Sequence, residues 1–129
     1  MMSQGRGSAS VNKLSILWLA LLYVLIQSGT NDAAVFTVGD GVGWSFSADS
    51  WSEGKSFRSG DELVFNYNPD IHNVVEVDAS GYKNCQVPAG SRVYNSGNDH
   101  IPLDRGMNYF ICSFPGHCKG GMKIAITAN

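Results

Sequence analysis

Residues Met107–Thr127 read MNYFICSFPGHCKGGMKIAIT. The two ends of this stretch have strand character and the middle does not. Met107–Ile111 is rich in aromatic and apolar residues. Lys123–Thr127 (KIAIT) alternates, which is the period of a half-buried strand. Between them stand Pro115, Gly116, Gly120 and Gly121, residues that turn a backbone and interrupt a ladder. Two short strands with a tight loop between them are expected, with Met107 as packing at a strand start.

Outward from this stretch the same pattern recurs. Strands are expected at Val35–Val38, around Trp44 and Phe46 (which alternate with serines), at Asp61–Asn68, His72–Val77, Val93-Tyr94 and Asp99–Leu103. Gly39–Gly43 reads as a glycine-rich turn. Asp49–Gly54 reads as one helical turn with Asp49 as cap and Gly54 as stop, and Ala79–Asn84 as a short helix or turn. No internal repeat or long amphipathic helix interrupts the series. About seven or eight short strands with one or two short helices predict an all-β fold, a Greek-key β-sandwich.

The N-terminal quarter has a different composition. Arg6 and Lys13 precede Leu14–Ile26, an apolar run broken only by Ser15. The run is shorter than the ~20 residues that span a bilayer. Polar residues 27–32 and the small pair Ala33–Ala34 follow, so residues 1–33 read as a secretory signal peptide, cut after Ala33. Residues 34–129 then form a single domain, expected to be secreted to the extracellular space or cell-wall matrix. No second apolar run offers a membrane anchor for the mature chain. The whole chain has 129 residues and a formal charge of −2. Losing Arg6, Lys13 and Asp32 leaves the mature part at 7 − 10 = −3. Without a basic surplus, nucleic acid is not an expected partner. With 16% charged and 43% hydrophobic residues, a disordered tail protein is excluded.

Chemistry concentrates in Cys112–Met122. Cys112, His117 and Met122 follow a C-x4-H-x4-M spacing, and His72 stands 40 residues before Cys112 at the start of an expected strand. Taken singly, each has an ordinary reading as a surface histidine, core filler or buried thiol. Together they supply one thiolate, two imidazoles and one thioether. Zinc gains little from a thioether. Two histidines and a cysteine with a weak axial methionine are the blue-copper arrangement, in which soft sulfur suits Cu(I) and imidazole tolerates both oxidation states. One copper ion is therefore the expected cofactor. Pro115 and Gly116 permit the turn that returns His117 to the metal of Cys112, and Gly120 and Gly121 let Met122 approach.

The cysteine count of three is odd. With Cys112 as ligand, Cys85 and Cys118 remain, and two spare thiols in an exported chain most simply pair. The remaining histidine, His100, has no sulfur at a matching offset and is expected on the surface. A Cys/His hydrolase would leave the methionine without a role and would need a cleft and an oxyanion hole. Three histidines in the whole chain cannot build a multicopper cluster, so a copper oxidase is not expected and the protein is read as no enzyme.

Three longer segments carry a family resemblance: AVFTVGDGVGW near the mature start, FNYNPDIHNVVEV around His72, and YFICSFPGHCKGGMKIAI. Over residues 34–129 the chain resembles the phytocyanins, small secreted plant blue-copper proteins, and among them the plantacyanins. The resemblance implies a cupredoxin fold with one type I copper held by His72, Cys112, His117 and Met122, and a disulfide between Cys85 and Cys118. The axial Met is plantacyanin-like, whereas stellacyanin-like relatives carry Gln there and early nodulin-like relatives have lost ligands. It also implies that Asn73 ties the two ligand segments together by hydrogen bonding, with Ser113 beside it. Plantacyanins are known as basic proteins; the −3 of this chain departs from that.

Two functions are expected from different classes. One is a secreted, monomeric one-electron carrier serving a small redox protein or small-molecule partner. Its docking patch would be Phe114, Pro115 and Gly116 beside His117. The other is an extracellular matrix signalling or adhesion protein of plant reproductive tissue, in which copper is structural or incidental.

Overall fold

The computed structural model describes residues 5–28 and 32–129. The chain divides into two units, Met1–Asp32 and Ala33–Asn129. In the first, helix α1 spans Gly5–Ser28. Among its apolar residues Leu14, Leu17, Trp18, Leu19 and Tyr23 are all more than half exposed. Among the described residues no helix is long and apolar enough to cross a membrane.

The second unit is an all-β sandwich of seven strands. One sheet has the order β1 (Val35–Thr37), β2 (Glu62–Asn66), β5 (Asn98–Pro102); the other has the order β4 (Val93–Tyr94), β3 (Val74–Val77), β6 (Gly106–Ile111), β7 (Lys123–Ala128). β1 lies parallel to β2, and every other pair is antiparallel. The chain changes sheet between β2 and β3, again before β5, and again before β6. Alternation decides which side chains go inward. In β7 Ile124, Ile126 and Ala128 are buried while Thr127 is exposed, and in β5 Asp99 and Ile101 are buried while His100 is exposed. The core unites Leu63, Phe65, Ile101, Phe110, Ile124 and Ile126 with Trp44, Cys112 and Met122.

Four local expectations are corrected. Trp44 and Phe46 are not in a strand. The Trp44 amide bonds the Asn66 carbonyl at 2.9 Å, and Trp44 is buried while Phe46 is 48% exposed. The short helix α2 runs Ala48–Trp51 with Ser47 at its cap, so Asp49 stands inside the first turn, where its carboxylate accepts the Tyr82 hydroxyl at 3.1 Å. β3 begins at Val74, which leaves His72 in the preceding turn, with its amide on the Asn68 carbonyl. Met107 is half exposed and accepts the Thr127 hydroxyl, because its side chain points to the solvent face of β6. Ala79–Asn84 is a helix, α3, capped by Asp78, whose carboxylate accepts the Gly81 amide at 2.7 Å.

Candidate metal centre

Cys112 follows directly on β6, and its register is fixed by β6 pairing with both β3 and β7. Its amide bonds the Met122 carbonyl, and the Met122 amide bonds the His117 carbonyl, both at 3.0 Å. The three candidate donors of the loop are thus linked through their own main chain. Further turns close inside it: His117 amide to Phe114 carbonyl at 3.1 Å, and Gly120 amide to Gly116 carbonyl at 3.0 Å. Gly121 has a φ of +107°, and a Cβ there would lie 2.9 Å from the Phe46 carbonyl oxygen. No other residue fits that approach.

Cys85 and Cys118, 33 positions apart in the sequence, form a disulfide. Cys85 caps the C-terminus of α3, so the bridge anchors the residue after His117 to that helix. Cys112 is free and wholly buried. A half-open cleft of about 300 Å³ lies beside the bridge, lined in part by Val87, Ser113, Phe114 and Pro115.

His72 arrives from the other side. The side chain of its neighbour Asn73 makes two bonds across to the ligand loop: Nδ2 donates to Ser113 Oγ, and the Ser113 amide donates to Oδ1, both at 2.8 Å. The Asn73 carbonyl accepts the indole N–H of buried Trp44 at 2.9 Å. The imidazoles meet with their Nδ1 atoms 3.1 Å apart. Cys112 Sγ lies 3.5 Å from His117 Nδ1 and 3.9 Å from His72 Nδ1.

This triangle can be tested against a metal. Bonds of about 2.0–2.1 Å to nitrogen and about 2.3 Å to sulfur, at angles between tetrahedral and trigonal, put donors roughly 3.4–3.8 Å apart. The three observed separations bracket that range, and the three donor atoms lie within 4.8 Å of one another. Burial, and then the neighbouring His117, lower the His72 pKa from its ordinary value. That favours the neutral imidazole a metal requires. Met122 is wholly buried in the same core cluster as Cys112. One buried thiolate, two imidazoles and a thioether fit one type I copper.

The surroundings of the imidazoles include a residue that the strand reading of Trp44–Phe46 concealed. His117 is half-buried between two rings: Phe114 stacks at 5.8 Å between centroids, and Phe46 meets it edge-on at 5.2 Å. Phe46 also reaches His72, at 6.1 Å. Pro115 and Gly116 are exposed beside them. His100 lies elsewhere, on the outer face of the β1–β2–β5 sheet. It is half exposed and paired with Glu62 at 2.5 Å.

Comparison with known proteins agrees with this geometry. Residues 44–122 match the model of the plastocyanin-like domain family. A chemocyanin of Lilium longiflorum is 54% identical, and a basic blue protein of Arabidopsis thaliana 52%, each alignment covering 98% of this chain and 99% of the relative. Among solved structures, cucumber basic protein, a blue copper protein, superposes with a TM-score of 0.73 at 56% identity. The match covers 74% of this chain and all of that one. Spinach plantacyanin follows with a TM-score of 0.67, at the same identity and coverage of this chain. A cupredoxin-like sandwich with a His–Cys–His triangle at the end of β6, matched across most of the chain by such relatives, places this protein among the phytocyanins, blue copper proteins of the plastocyanin-like domain family.

Proposed function

We propose that this protein is a secreted one-electron carrier and not an enzyme. The observation that carries the reading is the donor triangle itself, three ligand atoms of the right kinds within 4.8 Å of one another. His72, Cys112 and His117 would hold the copper through Nδ1, Sγ and Nδ1, with the Met122 thioether as the fourth, weaker donor. Copper there supplies a reversible one-electron couple. The chain supplies rigidity: the loop's internal bonds, the disulfide and the Asn73–Ser113 pair keep the donors from rearranging, which lowers the cost of changing oxidation state. Phe114, Pro115 and Gly116 form a small uncharged surface next to His117. Such a patch suits brief docking of a small redox protein or a small-molecule partner. A monomer fits this use.

Secretion is supported by the apolar run Leu14–Ile26 and by a disulfide suited to an oxidising compartment. The test is direct. Pure copper-free protein is titrated with Cu(II). It should turn intensely blue at one equivalent, and one electron per protein should bleach it reversibly. A colourless complex, or colour that grows past one equivalent, would sink the reading. A matrix signalling role with incidental copper predicts instead that a copper-free Cys112→Ser protein keeps full activity in a tissue assay.

A further inference from the structure

Asp61 is a buried carboxylate, 5% exposed, at the turn that leads into β2. Its Oδ2 accepts the Arg58 amide at 2.8 Å and its Oδ1 accepts the Ala34 amide at 2.9 Å. Among the described residues no cationic side chain stands within 4.0 Å of it. Carboxylates are seldom so buried without a positive partner, because desolvating the charge is costly. The other buried carboxylate of the sandwich, Asp99, shows the usual remedy among neutral groups: side-chain hydroxyls from Tyr67 and Ser96 donate to it. Asp61 has main-chain donors only.

One of those donors is the residue at which the mature chain is expected to begin. We infer that removal of residues 1–33 turns the Ala34 nitrogen into an α-ammonium that forms an ion pair with the buried Asp61 carboxylate, so that processing itself completes the fold. This rests on the signal-peptide reading above. The position is specific. Ala34 is held on both sides, since its carbonyl accepts the Glu62 amide at 2.9 Å while its nitrogen faces Asp61. A chain starting at Val35 would lose both bonds. A chain starting at Ala33 would leave a neutral amide against Asp61 and carry its charge about 3.5 Å further from the carboxylate. Before cleavage only the carboxylate of this bond is charged. After it, both partners are charged and the bond becomes an ion pair.

The full chain is expressed in a secreting eukaryotic cell and the exported protein is sequenced from its N-terminus. Ala34 should come first. Any other first residue overturns the assignment, and retention of the full-length chain in the cell would instead sink the signal-peptide reading. The exported protein is then transaminated selectively at its α-amine, which removes the charge and spares the lysines. The treatment puts a ketone oxygen, which cannot donate, in place of the ammonium, so the unfolding equilibrium should shift toward the unfolded state by roughly tenfold or more, the loss of a bond between charged partners. In the Asp61→Asn protein the same treatment should shift it less than about twofold. Equal shifts in the two proteins would show that no such pair exists. If Asp61→Asn does not fold, the rate of transamination decides. In folded wild type it should be many times slower than in denatured protein, and equal rates overturn the proposal.

Discussion

The two halves of the metal centre are held in different ways. The Cys112–Met122 loop holds itself: its donors are joined by main-chain bonds and its turns close within its own eleven residues. The His72 half borrows. Its orientation comes from Asn73 gripping Ser113 and from Trp44 holding the Asn73 carbonyl. A self-contained loop places donors whatever surrounds it. A borrowed position places them only while the whole sandwich stands, and so ties the metal to the fold. Changes in the first half should therefore remove chemistry, and changes in the second should detune it.

The sharpest break is at Cys112. Cys112→Ser keeps the size of the side chain and removes the thiolate. It should abolish the blue absorption outright, and a blue variant protein would show that another residue carries the colour. Next comes the staple between the loop and α3. Replacing both Cys85 and Cys118 by Ala frees a loop of 33 residues. Denaturant unfolding of copper-free protein should then show a loss of roughly 3–4 kcal/mol, with the blue spectrum nearly unchanged once copper is bound. A change in colour larger than the change in stability would mean that the loop is less self-contained than its hydrogen bonds indicate.

The same contrast explains what the sequence made legible. The loop's donors, its turn residues and its alternating flanks are contiguous, so periodicity and spacing sufficed for seven strands and for the candidate ligands. The chemistry of His72 marks it as a ligand, yet β3 starts two residues later than the sequence pattern suggests. Extended valines run on from it, while the turn that frees it depends on a bond to Asn68 that no local pattern announces. Trp44 and Phe46 failed for a similar reason. Alternation with serine is the period of a strand, but the main chain there is pinned to Asn66 and faces no open edge. The link of Asn73 to Ser113 spans 40 residues and came from resemblance, not from spacing. Contacts between distant segments leave no trace in a local reading.

Asn73 tests the borrowed half directly. Asn73→Ala removes both bonds to Ser113 and leaves a main-chain N–H without its partner, at a cost of about 1–2 kcal/mol in stability. Ser113→Ala removes only one bond and should cost about half as much. Because the lost bonds orient His72, the Asn73 variant should also shift the blue band and the reduction potential, read by absorption and voltammetry. An unshifted spectrum would mean that Asn73 serves the fold alone.

The smallest effect on stability is expected at Phe46, and its test is kinetic. The ring is 48% exposed, so Phe46→Ala should cost under about 1 kcal/mol in unfolding. Its position matters more than its burial. Cys112 and Met122 are wholly buried, so an ion must reach the donors from the side of the imidazoles, where Phe46 lies against both rings and Phe114 flanks His117. The Phe46 main chain is pressed against Gly121, which leaves the side chain as the part that can swing aside. Removing it should speed both uptake of copper and its loss to a chelator. If the ring contributes about 1 kcal/mol to the barrier, each rate rises roughly fivefold. Because a cover acts on the path and not on the end states, the ratio of the two rates should stay constant and the spectrum should not move. In Gly120→Ala the added Cβ would lie 3.2 Å from the Gly116 carbonyl oxygen and 3.3 Å from the same ring, so a ring displaced by it should accelerate exchange in the same direction. An altered affinity with unchanged rates of loss would instead make Phe46 a support for His117, and the borrowed half of the site would then include its outer wall.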